Sequence, residues 1–288
     1  MVEELDQATS PRRRLAALLR DLRVAAGLTG EELGARCGWT QSKVSKIETG
    51  RTPPQVADVE GWARATGAAE EVRADLVERA EAALTEASTW RAELQQGLAA
   101  KQQRVGQLEA EATSIRVFMP SAVAGLLQTA EYARRVFTLA DVTGQRDIPA
   151  AVTARLERQQ SLYDETKRFE FVLTEAALRW RPGPPSMLLG QLGRIASLDS
   201  LPSVEIGVVP FTVEATTLHP ETFTILKGED TLVLVETVTA ELAVRDPRDV
   251  AAYVDIFGRL REQAVFGETM SGLLDTIAED VRRLAVQG

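Results

Sequence analysis

The sequence predicts an all-α N-terminal domain of five helices, an α+β C-terminal domain, and a helical connector between them. Three observations carry this. Up to about residue 66, apolar residues recur at three- and four-residue spacing in short segments closed by Gly, the period of amphipathic helices. From Ala69 to Ala112 the chain is charged, helical in pattern and nearly free of Gly and Pro. Beyond that, β-branched runs alternate with further helical segments, which is the mixed pattern of an α+β domain. The boundaries read as 10–85, 86–113 and 114–286.

In order, Pro11 to Ala26 form a first helix, with Leu15, Leu18, Leu19 and Leu22 on one stripe and Gly27 as its stop. Thr29 caps a short second helix that carries Glu31 and Glu32 in its first turn, where the helix dipole favours carboxylates, and ends at Gly38. Thr40 caps a third helix, Gln41 to Thr49, stopped by Gly50. Trp39 and Val44 have the spacing of a hydrophobic staple across its start. After Pro53-Pro54, Val56 to Thr66 form a fourth helix. Trp90, Leu94, Leu98, Val105 and Leu108 fall roughly on one face of the connector, as one long helix or two stacked ones, a face suited to a dimer contact. Strands are predicted at Ile115–Met119, Phe169–Thr174, Val204–Pro210, Phe223–Lys227 and Thr231–Val238, with a hairpin turn at Gly228-Glu229-Asp230. Helices are predicted at Leu126–Ala140, Ile148–Tyr163, Ser186–Ser197, Val250–Val265 and Ser271–Leu284.

The charge is unevenly distributed. The chain of 288 residues carries a net −9. Yet residues 11–52 hold nine basic and four acidic side chains, against 24 basic and 35 acidic over residues 53–288. A small basic head on an acidic body suggests a polyanion-binding module fused to something that does not bind polyanions. Arg makes up 28 of the 33 basic residues, and Ala is abundant, as a GC-rich genome such as that of an actinobacterium would encode. One cysteine, Cys37, excludes an intrachain disulfide and a cysteine-based zinc cluster; it reads as a small packed side chain. No apolar run approaches the roughly 18 residues of a membrane span, and the acidic N-terminus has no signal-like apolar core, so a cytoplasmic location is expected.

Gly30 to Thr49 fits the twenty-residue helix-turn-helix template. Two helices that cross closely need a small residue at the crossing, met by Gly34. They need a chain reversal, met by Gly38, and apolar residues that lock the second on the first, met by Leu33, Val44 and Ile47. Here, above all over Gly38-Trp39-Thr40-Gln41-Ser42-Lys43-Val44-Ser45-Lys46-Ile47-Glu48-Thr49-Gly50-Arg51, the sequence resembles the Xre-type, lambda-repressor-like family. The resemblance implies that Gln41, Ser42 and Lys46 face base edges in the major groove of double-stranded DNA. It places Lys43, Arg51 and Arg14 near phosphates, with the N–H of the capping residue Thr40 near another. It also implies a structural ion pair between Arg23 and Glu48. Trp39 reads as a core staple rather than a base stacker. Lys46 equally fits a phosphate contact or a solvated charge, and Arg12 to Arg14 either a phosphate-touching arm or a solvated helix start. Where the family often carries a phosphate-contacting Gln, this chain has Gly30.

The rest resembles the C-terminal domain of unknown function fused to such heads in antitoxin-like actinobacterial regulators. The matching stretches include Gly97-Leu98, Leu108-Glu109, Ile115-Arg116-Val117-Phe118, Gly125-Leu126-Leu127-Gln128-Thr129, Arg155-Leu156-Glu157-Arg158-Gln159, Glu175-Ala176-Ala177-Leu178-Arg179 and Val208-Val209-Pro210-Phe211. Ala124 stands where relatives usually have Pro. The resemblance implies a repressor or activator, often encoded beside a small partner protein. Gln128, Tyr132, Arg134, Arg155, Arg158 and Gln159 fit two readings. They line a pocket or partner groove, or else Tyr132 joins Leu126, Leu127 and Leu156 in the core while the arginines form surface pairs. The second is the commoner fate of helical charge.

The single histidine, His219, has no second histidine or nearby cysteine to complete a metal site or a catalytic dyad. No HExxH spacing and no phosphate-binding Gly loop occurs. Neither an enzyme nor a cofactor or metal site is therefore expected. The expected function is sequence-specific transcription regulation by a homodimer reading an inverted repeat. Two alternatives remain open: an antitoxin-like module that sequesters a small partner protein and autoregulates, and a regulator that senses a small-molecule effector.

Overall fold

The computed structural model describes residues 11–52, 54–89, 98–141, 147–237 and 240–287. The chain divides into two compact units, Met1–Ala87 with Leu242–Asp249, and Ser88–Glu241 with Val250–Gly288. The first is the helical head and the second a mixed sheet with helices, as the sequence predicts.

In the head, α1 (Pro11–Ala25), α2 (Gly30–Cys37), α3 (Gln41–Glu48), α4 (Val56–Thr66) and α5 (Glu70–Leu84) follow one another through short connections. The caps are local and strong. Thr29 accepts from the Glu32 N–H while the Glu32 carboxylate takes the Thr29 N–H, a reciprocal box. That exposed carboxyl is held below its usual range by these bonds. Gly38 ends α2 at φ 72°, a left-handed conformation that a side chain would strain. At Gly34 the approach is tighter still. A Cβ there would lie 2.9 Å from the Trp39 carbonyl oxygen, whereas the Trp39 N–H donates to the Gly34 carbonyl at 2.8 Å.

The core of the head gathers Leu15, Leu19, Leu33, Val44, Ile47, Val59, Trp62 and Leu76. Trp62 is fully buried and satisfies its indole N–H on the Leu19 carbonyl at 3.0 Å. Trp39 packs on this cluster with its ring 6.2 Å from that of Trp62. Cys37 packs there too, where burial pushes its thiol up.

One polar clamp ties α1 to the end of α3. Arg23 grips Glu48 with two prongs, at 2.5 and 3.0 Å, and gives a third bond to the Leu28 carbonyl at 2.6 Å. The bond to Glu48 holds the guanidinium above its ordinary range, against the opposing pull of burial.

The chain differs from expectation where the connector is predicted. The pattern from Ala69 to Ala112 predicts one long helix or two stacked ones; two helices are present, but α5 stops at Leu84 and Thr85–Thr89 form a short strand, β1, which the pattern does not predict. Helix resumes as α6 (Leu98–Glu111). Thr85, Ser88 and Thr89 are poor helix formers, which explains the break. Trp90, Leu94 and Gly97 lie outside the described residues, as do Pro53, Val238 and the acidic N-terminus.

From there the chain runs β2 (Ser114–Met119), a 3₁₀ turn (Gly125–Leu127), α7 (Ala130–Ala140), α8 (Ile148–Arg158) with a 3₁₀ extension to Tyr163, and β3 (Arg168–Thr174). It continues with α9 (Glu175–Arg179), α10 (Pro185–Leu198), β4 (Val204–Val209), β5 (Phe223–Lys227), β6 (Thr231–Glu236), β7 (Ala240–Val244), α11 (Pro247–Gln263) and α12 (Gly267–Gln287). Five strands run in the order β6-β5-β2-β3-β4. β2, β3 and β4 are parallel, and the β5–β6 hairpin adds antiparallel to β2. The predicted helix from Leu126 instead begins at Ala130, because Thr129 caps it by accepting the Tyr132 N–H. Ala124, in the position of the relatives' proline, sits at φ −56°, a value proline also adopts. The last turn of α6 is tied down by Lys167, whose ammonium reaches the carbonyls of Glu109, Ala110 and Ala112 at 3.1, 2.8 and 2.6 Å.

The clamp in the head yields a testable expectation. Arg23→Ala strands the Glu48 carboxylate, largely withdrawn from water beneath it, and should cost about 3 kcal/mol of stability. The double variant Arg23→Met/Glu48→Leu should recover most of that loss. Urea denaturation of the intact protein measures both; equal losses in the single and double variants would refute the account.

Candidate functional site

The helix-turn-helix presents α3 by burying one side of it. Val44 and Ile47 are in the core, whereas Gln41, Ser42 and Ser45 are exposed. Thr40 accepts the Lys43 N–H at 3.2 Å and fixes the first turn. The Gln41 and Ser42 side chains therefore project from a capped helix end, the arrangement that can enter a major groove. Lys46 and Ser45 follow on the same helix, and Arg51 is exposed just past its end. Arg13 and Arg14, on α1, are exposed as well.

Two predicted positions depart from a simple contact surface. Lys43 is committed within the protein: its ammonium lies 2.7 Å from Asp58 and 4.5 Å from the centre of the Trp39 ring. At Gly30 a Cβ would meet only Val44 Cγ1 at 3.6 Å and Gln41 Cγ at 3.9 Å, ordinary contacts. Nothing in the backbone thus demands glycine there.

A second candidate lies within the C-terminal unit. It is a cavity of about 180 Å³ between the sheet and helices α6 and α8. Its floor is one transverse row across four strands, Phe171–Val117–Thr224–Leu234, set by the register of β3, β2, β5 and β6. Met119 and Glu236 extend the floor two residues along their strands. On α6, Lys101, Gln102, Val105 and Glu109 fall on one helical face and form one wall. Arg155 and Arg158 of α8, three residues apart, form another. The turn Ala124 to Leu126, with Gln128, closes one end.

The charges in this cavity are largely paired. Arg158 grips Glu109 at 2.6 and 3.0 Å and reaches Gln102 at 2.5 Å. Lys101, buried, lies 3.0 Å from Glu236 and 3.5 Å from Glu241, and Glu241 also receives Arg104. Gly106 makes room for the Arg158 stem, since a Cβ there would approach Arg158 Cγ to 3.0 Å. Arg155 is different. It donates through Nε to Gln102 at 3.2 Å and through Nη1 to Gln128 at 2.6 Å, both neutral amides.

The polar set predicted from sequence therefore divides. Gln128, Arg155 and Arg158 line the cavity. Gln159 braces it from behind, giving its amide to the carbonyls of Gly125 and Gln128 at 3.1 and 2.8 Å. Tyr132 is core, edge-on to Trp180 at 6.2 Å, with burial pushing its phenol up to about 12. Arg134 is exposed and does not line the cavity. Reasoning on sequence missed Lys101, Gln102, Glu236 and Glu241. Their only signal is the i, i+1 polar pair and the later carboxylates in otherwise apolar strands, which is too weak to connect them.

Comparison with known proteins adds two family matches. Residues 14–76 match a helix-turn-helix domain model. Residues 102–275 match the model described as a domain of unknown function, DUF5753. The chain belongs to the DUF5753 family. No curated protein is similar enough in sequence to match. Among solved structures, NucT from Helicobacter pylori is similar at TM-score 0.38 and 9% identity, over 64% of this chain and 98% of that one. TrmBL2, an archaeal chromatin protein with a novel mode of DNA binding, is similar at TM-score 0.33 and 12% identity, over 64% of this chain and 53% of that one. The DUF5753 segment contains every cavity-lining residue except Lys101, and the helix-turn-helix segment contains all of α2, α3 and α4. Among the described residues no helix is long and apolar enough to cross a membrane.

The cap of α3 is the simplest feature of the first site to test. Thr40→Ala removes the acceptor for the Lys43 N–H and should cost about 1 kcal/mol, with Thr40→Ser restoring most of it. Thermal denaturation with reversible refolding reads this, and an unchanged melting temperature in Thr40→Ala would contradict it.

Proposed function

We propose that this DUF5753 protein is a sequence-specific DNA-binding transcription regulator that reads an inverted-repeat operator as a homodimer. The observation that carries the reading is the division of α3 into a buried side, Val44 and Ile47, and a projecting side led by Gln41 and Ser42. The helix-turn-helix match over 14–76 supports it. So does the basic excess of residues 11–52, which an otherwise acidic chain confines to its head.

In this reading α3 lies in the major groove. Gln41 pairs two-pronged with adenine, Lys46 contacts guanine, and Ser42 contacts either partner of a pair. The N–H of Thr40 and the side chains of Arg14 and Arg51 meet phosphates. One helix reads only a few base pairs, so two heads related by a twofold axis supply the length of a specific site, with half-sites roughly 34 Å apart. The C-terminal unit modulates this activity.

Lys43 has a particular place here. Its ammonium is already neutralised by Asp58, so it contributes little to the phosphate term. Asp58 also accepts the Gln55 N–H at 3.2 Å, which Asn can do as well.

Two outcomes test the reading. Gln41→Ala should weaken operator binding by about 1–3 kcal/mol while leaving binding to unrelated duplex nearly unchanged. Equal losses on both DNAs, measured by anisotropy at fixed salt, would remove the base-reading role. Asp58→Asn should release Lys43 and make the slope of log K against log salt steeper by about 0.9 per head. An unaltered slope would mean that Lys43 is not within reach of a phosphate.

A further inference from the structure

Among the described residues, Arg155 is the one cation lining the C-terminal cavity whose own contacts include no carboxylate. Its hydrogen bonds go through Nε to Gln102 and through Nη1 to Gln128. The guanidinium is nevertheless rigidly placed. One face covers the Phe137 ring at 4.1 Å, and Gly125 leaves only enough space for it, since a Cβ there would lie 3.4 Å from Arg155 Cζ and Nε. The nearest carboxylates are engaged elsewhere, Glu109 by Arg158 and Glu236 by Lys101. Desolvation, with a smaller contribution from the neighbouring Arg158, pushes the Arg155 guanidinium down to about 9, against the opposing pull of Glu236 and Glu109.

The amide partners matter to the choice of ligand. Gln102 and Gln128 offer carbonyl oxygens to the arginine and bring no negative charge, so they orient the guanidinium without neutralising it. The apolar part of the lining includes Val105, Val117, Leu126, Val136 and Phe171, while the charged part, with Glu109, Glu236 and Glu241, is taken up by Arg158, Lys101 and Arg104. A volume of about 180 Å³ is close to that of a cavity holding one benzene-sized body.

We infer that this cavity is a binding site for a small organic monocarboxylate, its carboxylate taken by Arg155 and its apolar body lodged over the Phe171–Val117 floor. Guanidinium and carboxylate match in charge and fork geometry, and the pairing supplies the missing anion inside a low-dielectric pocket. A phosphate dianion fits less well: it brings a second charge and more acceptors than one guanidinium edge satisfies. This occupant would be the effector of the regulator proposed above, so the regulatory consequence rests on that reading while the binding itself does not.

The test uses the full-length protein and benzoate, with benzamide as the uncharged isostere and inorganic phosphate as the anion without an apolar body. Benzoate is expected to raise the melting temperature saturably and to bind in calorimetry, at least tenfold more tightly than benzamide or phosphate. Arg155→Gln should abolish that preference for the charged probe. Ala122→Phe, which fills the cavity and leaves Arg155 in place, should abolish binding of benzoate altogether, with circular dichroism confirming that both variants are folded. No saturable benzoate binding, equal binding of benzamide, or benzoate binding retained in both variants would overturn the assignment. Operator affinity measured on the same samples separates the two claims. For the unsubstituted protein, absent benzoate binding with intact operator binding refutes the cavity assignment alone, and absent operator binding with intact benzoate binding refutes the regulator reading alone.

Discussion

A guanidinium withdrawn from water must be met by fixed acceptors, and each unit of this protein is organised around one that is. In the head, Arg23 is answered in full. Glu48 supplies the counter-charge and two bonds, and the Leu28 carbonyl a third. The consequence is geometric. α1 is tied to the last turn of α3, so the side of α3 that carries Val44 and Ile47 stays on the core and the side that carries Gln41 and Ser42 stays out. The hydrophobic contacts supply most of the driving force, but they are non-directional. The clamp and the contact at Gly34 select one rotation and one crossing of α3 from among those that would bury similar apolar area.

The C-terminal unit meets the same constraint differently. Arg158 is answered as Arg23 is, by a two-pronged carboxylate on a facing helix. Arg155, one helical turn earlier, receives amides and an aromatic face instead. Replacing either amide by a carboxylate would make a conventional buried ion pair with little reason for an open space beside it. The combination of neutral acceptors, a stacked ring and a cavity keeps the positive charge available. That distinguishes a site from a structural pair, and it is a difference of one functional group at positions 102 and 128.

The two units were not equally legible in the sequence. The head is built from local signals: Thr29 and Thr40 at helix starts, Gly38 and Gly50 at helix ends, and a leucine stripe along α1. Each acts within four residues of itself, so reading along the chain suffices. The sheet strands β2 to β6 were legible for the same reason, as β-branched runs with turn residues between them. β1 and β7 were not. Thr85-Glu86-Ala87-Ser88-Thr89, with its poor helix formers Thr85, Ser88 and Thr89, lies inside a long helical pattern and is too short to show as a strand, and Ala240-Glu241-Leu242-Ala243-Val244 carries Ala, Glu and Leu, which do not favour strands. α9, at five residues, is too short to show a period.

The cavity was legible only in half. Gln128, Arg155 and Arg158 stood out as polar residues, but polarity on a helix, where the two arginines lie, usually means solvent. What turns them inward is Gln102, 53 and 56 positions from the two arginines, and Gly106, whose missing side chain admits the Arg158 stem. A glutamine and a glycine in a charged helix carry no signal of their own. They become informative only when the facing helix is known, because their role is to be small or neutral where another residue would collide or neutralise. The features that make a binding site, unfilled space and unmet charge, are in this sense absences. A single sequence records what residues are present, and only the packed structure shows what has been left out beside them.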